Sequence, residues 1–259
     1  MQRETALITG ATSGIGRAYA ERFARMGYDL VITGRRKRVI DEAARAIRKN
    51  HGVSVKVVIA EFTAEAGVRA VLDAIRREKN LAVLVNNAGY GIDGLFADLP
   101  IGDHLDMVKV HVTAALRFIH AVLPGMIERK KGAIINVSSL GAFAPSPING
   151  IYGGSKSFLN VFTESLHLET RRHGIRVQAL CPGFTVTDFH NKMGVEEEVR
   201  GNRMIHWMNP EKVVEISMRC LEKGKVICIP GLRNRFLRAL IAVVPRRFYY
   251  RVAEGNIRR

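Results

Sequence analysis

The chain has 259 residues, with 40 Lys+Arg against 24 Asp+Glu, a formal net charge of +16 and a pI near 10.3. This length holds one large α/β domain, and 47% hydrophobic residues with 24 Gly and 8 Pro exclude collagen, low-complexity disorder and a disulfide scaffold. The cysteines Cys181, Cys220 and Cys228 are odd in number and lack metal-ligand spacing, which points to a reducing compartment and no metal site, while the excess of cations predicts a surface that attracts anions.

In chain order, β-branched runs alternate with helical patterns. Strands are predicted over 6–9, 30–33, 53–59, 82–85, 133–138, 176–180 and 226–229. Helices are predicted over 15–26, 37–49, 64–79, 102–129, 152–173 and 210–223. Most strand runs are apolar almost throughout, as strands covered on both faces are. The alternation predicts an α/β fold: a single Rossmann-like domain over 1–259, with a doubly wound parallel sheet of about seven strands and helices on both faces. Asn209 and Pro210 offer the last helix an N-cap and a first-turn residue. Two segments break the rhythm, an insertion over 184–208 and a basic, aromatic extension over 232–259. The start, Met1-Gln2-Arg3-Glu4, runs straight into the first strand without a secretory pattern. No window is expected to offer the about 18 apolar residues that cross a bilayer, so a cytoplasmic protein is expected.

The first strand ends in Thr9-Gly10-Ala11-Thr12-Ser13-Gly14-Ile15-Gly16, and a helix follows. Glycines serve where a backbone turns sharply and approaches a pyrophosphate, and the helix N-terminus adds N–H donors and a favourable dipole. The spacing is Gly-x3-Gly-x-Gly, not the common Gly-x-Gly-x-x-Gly. Gly10, Thr12, Ser13, Gly14, Ile15 and Gly16 are therefore candidate cofactor contacts. An acid after the second strand would bind the ribose 2′-hydroxyl of NAD, but the chain has Gly34-Arg35-Arg36-Lys37-Arg38 there. Gly34 leaves room, and Arg35 and Arg36 offer forked donors to a 2′-phosphate, so NADP(H) is expected over NAD(H). A merely solvated helix start is disfavoured, because cations at a helix N-terminus oppose its dipole.

Of six tyrosines, Tyr152 alone has a lysine four residues on, Lys156, on the same helix face. An ammonium beside a phenol lowers its pKa from about 10 toward working pH, and such a tyrosine exchanges a proton with an alcohol or carbonyl. Ser139 follows the fifth strand, where open α/β sheets place their ligands, and its hydroxyl can hold a carbonyl oxygen.

With Asn86-Asn87-Ala88-Gly89 after the fourth strand, and Pro182-Gly183 with Thr187 after the sixth, these motifs resemble the short-chain dehydrogenase/reductase superfamily over nearly the whole chain. The resemblance implies that Tyr152 is the acid/base, that Ser139 polarises the substrate, and that Lys156 binds the nicotinamide ribose while tuning Tyr152. It implies that Asn87, Ala88 and Gly89 border the cofactor channel and that Pro182, Gly183 and Thr187 lie at the nicotinamide. Glu61 falls where the family usually has an Asp near the adenine. The family's catalytic Asn corresponds to His111. In the family that residue stabilises a helix kink whose backbone carbonyl holds a relay water. The carbonyl survives the change of side chain, and an imidazole can itself join a relay. The resemblance also implies a homodimer or homotetramer through the two long helices. Cys181 reads as a small buried hydrophobe rather than a nucleophile.

In that family a stretch such as 184–208 covers the substrate. Its apolar load, from Phe184, Val186, Phe189, Met193, Val195, Met204, Ile205 and Trp207, predicts a hydrophobic ketone, aldehyde or alcohol. Over 225–259, nine Lys/Arg stand against one acid. This tail is expected to fold on the protein, over the pocket or an interface, with peripheral contact to an anionic membrane as the second reading. The leading expectation is an NADP(H)-dependent oxidoreductase. The competing one is an NADP-binding regulatory or scaffold protein of the same fold with little turnover, for which His111 is the support. A nucleic-acid partner is not expected, since no recognised motif appears.

Overall fold

Seven short strands form one sheet in the computed structural model of the chain, which describes residues 3–189 and 206–255. They are β1 (Thr5–Ile8), β2 (Asp29–Gly34), β3 (Val55–Ile59), β4 (Leu81–Asn86), β5 (Gly132–Val137), β6 (Ile175–Leu180) and β7 (Ile227–Cys228). Every pairing is parallel, in the order β3-β2-β1-β4-β5-β6-β7. Every residue of β1, β4 and β5 is buried, which is why these runs are apolar at odd and even positions alike. The order reverses between β1 and β4, so a crevice opens beyond their carboxyl ends.

The helices are α1 (Gly14–Arg25), α2 (Lys37–His51), α3 (Glu65–Arg77), α4 (Ile101–Val108), α5 (Ala114–Glu128), α6 (Gly150–Thr170), α7 (Pro210–Glu222), α8 (Leu232–Val243) and α9 (Arg246–Glu254). Strand residues alternate between two cores. Ile8 and Ile32 pack with Phe23 of α1, Ile47 of α2 and Val213 of α7. Leu7 and Val31 pack with Val71 of α3 and Phe118 of α5. Phe118 meets Phe62 edge to face, with ring centroids 5.2 Å apart. Each such buried ring stabilises the fold by about 2–3 kcal/mol.

Several expectations need correction. The last strand shrinks from the expected 226–229 to Ile227–Cys228, because it is an edge strand paired only with β6. The side chain of Asn209 makes no capping bond, and α7 starts on Pro210 alone. The expected continuous helix over 102–129 is interrupted by a π-helical turn, Lys109–Thr113. Taken as one unit, Ile101–Glu128 is also long and apolar enough to cross a membrane, contrary to the expectation that no such stretch exists. Its Val110, Phe118, Ile119, Val122 and Met126 are buried in the second core, as the apolar face of a core helix is. The tail over 232–255 forms two helices, α8 and α9. Of the expected substrate cover, 190–205 lies outside the described residues. Its two ends are clamped together: Val186 N–H donates to the Met208 carbonyl at 2.9 Å, and Met208 N–H donates to that of Phe184 at 3.0 Å.

Candidate active site

A cavity of about 810 Å³ opens at the carboxyl ends of the central strands. All the candidate residues line it except Gly16 and His111. The glycine turn is locked from behind. The Thr9 hydroxyl accepts N–H bonds from Asn87 at 2.9 Å and Ala88 at 3.0 Å, while Asn87 Nδ2 donates to the carbonyls of Thr9 and Gly10. Asn87 thus shapes the turn as well as bordering the cavity. Gly16 serves a steric purpose instead of touching the cavity, since a Cβ there would overlap Asn87 Nδ2 and the Gly10 carbonyl. Gly14 sits at φ +57°, and a Cβ there would meet the Thr187 methyl at 2.7 Å. The Ser13 side chain makes no cap bond, so the first amides of α1 face the cavity with their dipole unspent. A turn with no room for side chains, ahead of open helix amides, fits a dinucleotide pyrophosphate.

The basic end of the site differs from expectation. The space beside Gly34 is filled by Thr12, whose methyl would lie 2.5 Å from an added Cβ. Arg35 and Arg36 are already engaged: Arg35 Nη1 lies 3.0 Å from Glu61 Oε2, and Arg36 Nη2 lies 3.6 Å from Asp188 Oδ2. These pairs are largely exposed and worth about 0–1 kcal/mol each, so an incoming phosphate displaces them at little cost. Glu61 therefore holds Arg35, a partnership across 26 residues of sequence that no local pattern reveals.

Ser139, Tyr152 and Lys156 converge on the same wall. Ser139 Oγ accepts the Gly141 N–H at 3.0 Å, which leaves its own proton to donate. Lys156 is buried, and its Nζ donates to the Val137 carbonyl at 2.9 Å. Nζ lies 5.8 Å from the Tyr152 ring centroid. Burial pushes the Tyr152 phenol above its ordinary range, and the Ser139 hydrogen bond only partly opposes this. Here the sequence expectation fails: the ammonium was expected to pull the phenol down, but desolvation dominates because both groups share a dry pocket. Burial also drives Lys156 down to about 8. Cys181 is fully buried, and burial pushes its thiol up to about 12, as suits a core residue.

His111 is buried in the π-helical turn, behind Tyr152, with ring centroids 5.8 Å apart. Its Nε2 accepts the Tyr90 N–H at 3.1 Å. Its Nδ1 lies 2.9 Å from Ser155 Oγ, whose own proton goes to the Tyr152 carbonyl at 2.8 Å. Only the Nδ1–H tautomer satisfies all three bonds. Burial, and then the Lys156 charge, hold the imidazole well below its ordinary pKa, so it is neutral. A neutral imidazole with both nitrogens occupied ties the turn to α6 rather than passing protons. We predict that His111→Asn keeps the π-helical turn and turnover within about tenfold, because an amide can replace one of the two bonds, each worth about 0.5–1.5 kcal/mol. Steady-state rates decide this, and complete loss would make the imidazole essential.

Sequence reading missed Ser155 as the link between His111 and α6. Leu237 and Ile241 of α8, apolar residues of the tail read as covering the pocket or an interface, also line the cavity. The i+3 position of Ser155 after Tyr152 was the available signal for that link.

The sequence profile of the family described as short chain dehydrogenase matches residues 4–198. The chain is 36% identical over 186 residues to the very-long-chain 3-oxoacyl-CoA reductase of Anas platyrhynchos, covering 70% of this chain and 60% of that protein. It is 37% identical over 184 residues to the inactive hydroxysteroid dehydrogenase-like protein 1 of Mus musculus, covering 70% and 56%. The chain thus spans less than two thirds of the length of these relatives. Among solved structures, the short-chain dehydrogenase from Sphingobium yanoikuyae in complex with NADPH superposes with a TM-score of 0.83 at 32% identity, over 93% of this chain and 96% of that one.

Proposed function

The chain belongs to the short-chain dehydrogenase/reductase superfamily, and we propose that it is an NADP(H)-dependent oxidoreductase interconverting a hydrophobic ketone or aldehyde and its alcohol. The observation that carries this reading is the convergence of the Tyr152 phenol, the Ser139 hydroxyl and the Lys156 ammonium on one cavity that also takes in the glycine turn.

Reduction of a carbonyl requires a hydride on carbon and a proton on oxygen. NADPH, held by the glycine turn, Asn87 and Lys156, supplies the hydride when bound. Tyr152 supplies the proton, and the burial that raises its pKa keeps the phenol protonated at neutral pH, ready to donate. The free proton of Ser139 goes to the same carbonyl oxygen and stabilises the charge that develops there. Lys156 keeps two protons beyond its bond to Val137 for the ribose hydroxyls, and its charge steadies the Tyr152 phenolate left behind.

Leu140, Phe184, Phe189, Leu237 and Ile241 give the cavity apolar walls, which support a hydrophobic substrate. Similarity to a 3-oxoacyl-CoA reductase supports a carbonyl on a long acyl chain. The exposed Ile101 and Leu105 of α4, with Phe158, Val161 and Leu168 of α6, support a homo-oligomer joined along these helices. NADPH oxidation against a panel of aldehydes, ketones and 3-oxoacyl thioesters tests the reading. Turnover of a long-chain member is expected. No turnover of any would sink it in favour of a cofactor-binding scaffold, which the similarity to a relative named inactive favours.

The arginines support NADP(H). A charge-assisted bond to the 2′-phosphate contributes about 1.5–3 kcal/mol, less the about 0–1 kcal/mol lost with the Glu61 pair. Arg35→Ala is therefore expected to weaken NADPH binding about tenfold and to leave NADH nearly unchanged. Fluorescence titration of both reduced cofactors checks this, and equal affinities in the wild type would remove the preference.

A further inference from the structure

The two helices after β7 have opposite faces of different use. The inner face of α8 is held to the protein. Asn234 Nδ2 donates to the Pro230 carbonyl at 2.7 Å, the Arg238 guanidinium lies 5.4 Å from the Phe143 ring centroid, and Leu237 and Ile241 line the cavity. The Tyr249 hydroxyl fastens α9 by donating to the Pro145 carbonyl at 2.6 Å. At 3.6 residues per turn, Leu232, Phe236, Leu240 and Val243 fall on the opposite side of α8. They are 76%, 72%, 46% and 77% exposed. Arg233 and Arg235 fall on the two edges of this stripe. Phe248, Tyr250 and Val252 of α9 are exposed among Arg246, Arg247 and Arg251. Over 232–255, six arginines stand against one acid, Glu254.

We propose that α8 and α9 dock the protein on an anionic lipid bilayer, with the apolar stripe among the acyl chains and the arginines on the lipid phosphates, so that the wall of the substrate cavity meets the lipid surface. Charge complementarity selects this occupant. A contiguous exposed apolar stripe calls for a partner. A second copy meeting it across a twofold axis would set arginine rows against arginine rows, with no acid on α8 to relieve them. An anionic membrane satisfies the stripe and its basic edges together, the arrangement of interfacial helices. Because α8 carries the stripe outside and Leu237 and Ile241 inside, a hydrophobic substrate passes from lipid to Tyr152 past one helix. That last step rests on the oxidoreductase reading; the docking does not.

Flotation of the full chain with vesicles tests the proposal, using phosphatidylcholine alone and phosphatidylcholine with about one third phosphatidylserine. The protein is expected to float with the anionic vesicles, to stay behind with the neutral ones, and to be released by molar salt. The double substitutions Phe236→Glu with Leu240→Glu, and Arg233→Glu with Arg235→Glu, are each expected to lower the bound fraction at least about tenfold. NADPH titration of the same variants reports an intact fold, since none of these four residues lines the cavity. Equal flotation of wild type and variants, or none by the wild type, overturns the proposal. So does a soluble dimer that Phe236→Glu splits in sedimentation without changing flotation, because the stripe then belongs to a second copy. Flotation by a protein that turns over no carbonyl supports the docking while sinking the enzyme reading.

Discussion

Tyr152→Phe is expected to lower turnover by about 10²–10⁴-fold while leaving NADPH affinity and the melting temperature nearly unchanged. Only the phenolic oxygen is removed. The ring keeps its packing against His111 at 5.8 Å and Phe189 at 5.7 Å, so the cavity wall is preserved. Ser139 still has the Gly141 amide and can still polarise a carbonyl, but no proton reaches the oxygen after hydride transfer. Burial has already raised this phenol, and the nearby Lys156 ammonium, bonded to the Val137 carbonyl, does not replace the lost donor. Single-turnover rates beside cofactor titration separate the two effects. Comparable turnover in the variant would take Tyr152 out of the mechanism.

Lys156→Met is expected to cut turnover about 10²-fold or more and yet to raise the melting temperature. The buried ammonium has one carbonyl partner, Val137, and burial has driven its pKa from 10.5 to about 8. That shift marks about 3 kcal/mol of strain on the charged form at neutral pH. Methionine fills a similar volume without charge, and it leaves the Val137 carbonyl unpaired at about 1 kcal/mol. The net gain of about 2 kcal/mol corresponds to a rise of about 4–8 °C for a domain of this size. The same depressed pKa sets the pH limb of the wild type. Lys156 is charged below about 8 and loses its proton above it, so kcat/KM for reduction falls as pH rises through that value. A lower melting temperature in the variant would show that the ammonium stabilises the fold, and a flat wild-type profile into alkaline pH would show that its charge does not support the rate.

The glycine turn, Ser139, Tyr152 and Lys156 stand out in the sequence because their signals are local: glycine spacing after an apolar run, a residue at a strand end, two side chains one helical turn apart. The central strands β1, β4 and β5 are legible for the same reason, since a strand covered on both faces is apolar at nearly every position. The state of the site is not local. The phenol rises because packing dries Tyr152 and Lys156 together. Arg35 is held by Glu61 and Arg36 by Asp188, partners that meet only when β2 and the loops after β3 and β6 come together.

The sequence by itself determined the parallel sheet and singled out the glycine turn and the candidate residues that the fold brings to one cavity, because alternation, glycine spacing and the i, i+4 relation are properties of a chain read along its length. Only the tertiary structure decided the π-helical turn, the Nδ1–H tautomer of His111 and the placing of α8 with one face in the cavity and the other in solvent. Those depend on what lies across the fold. His111 takes its tautomer from Tyr90 and Ser155, 21 and 44 residues away, and a helix shows which of its faces is covered only when its neighbours are in place.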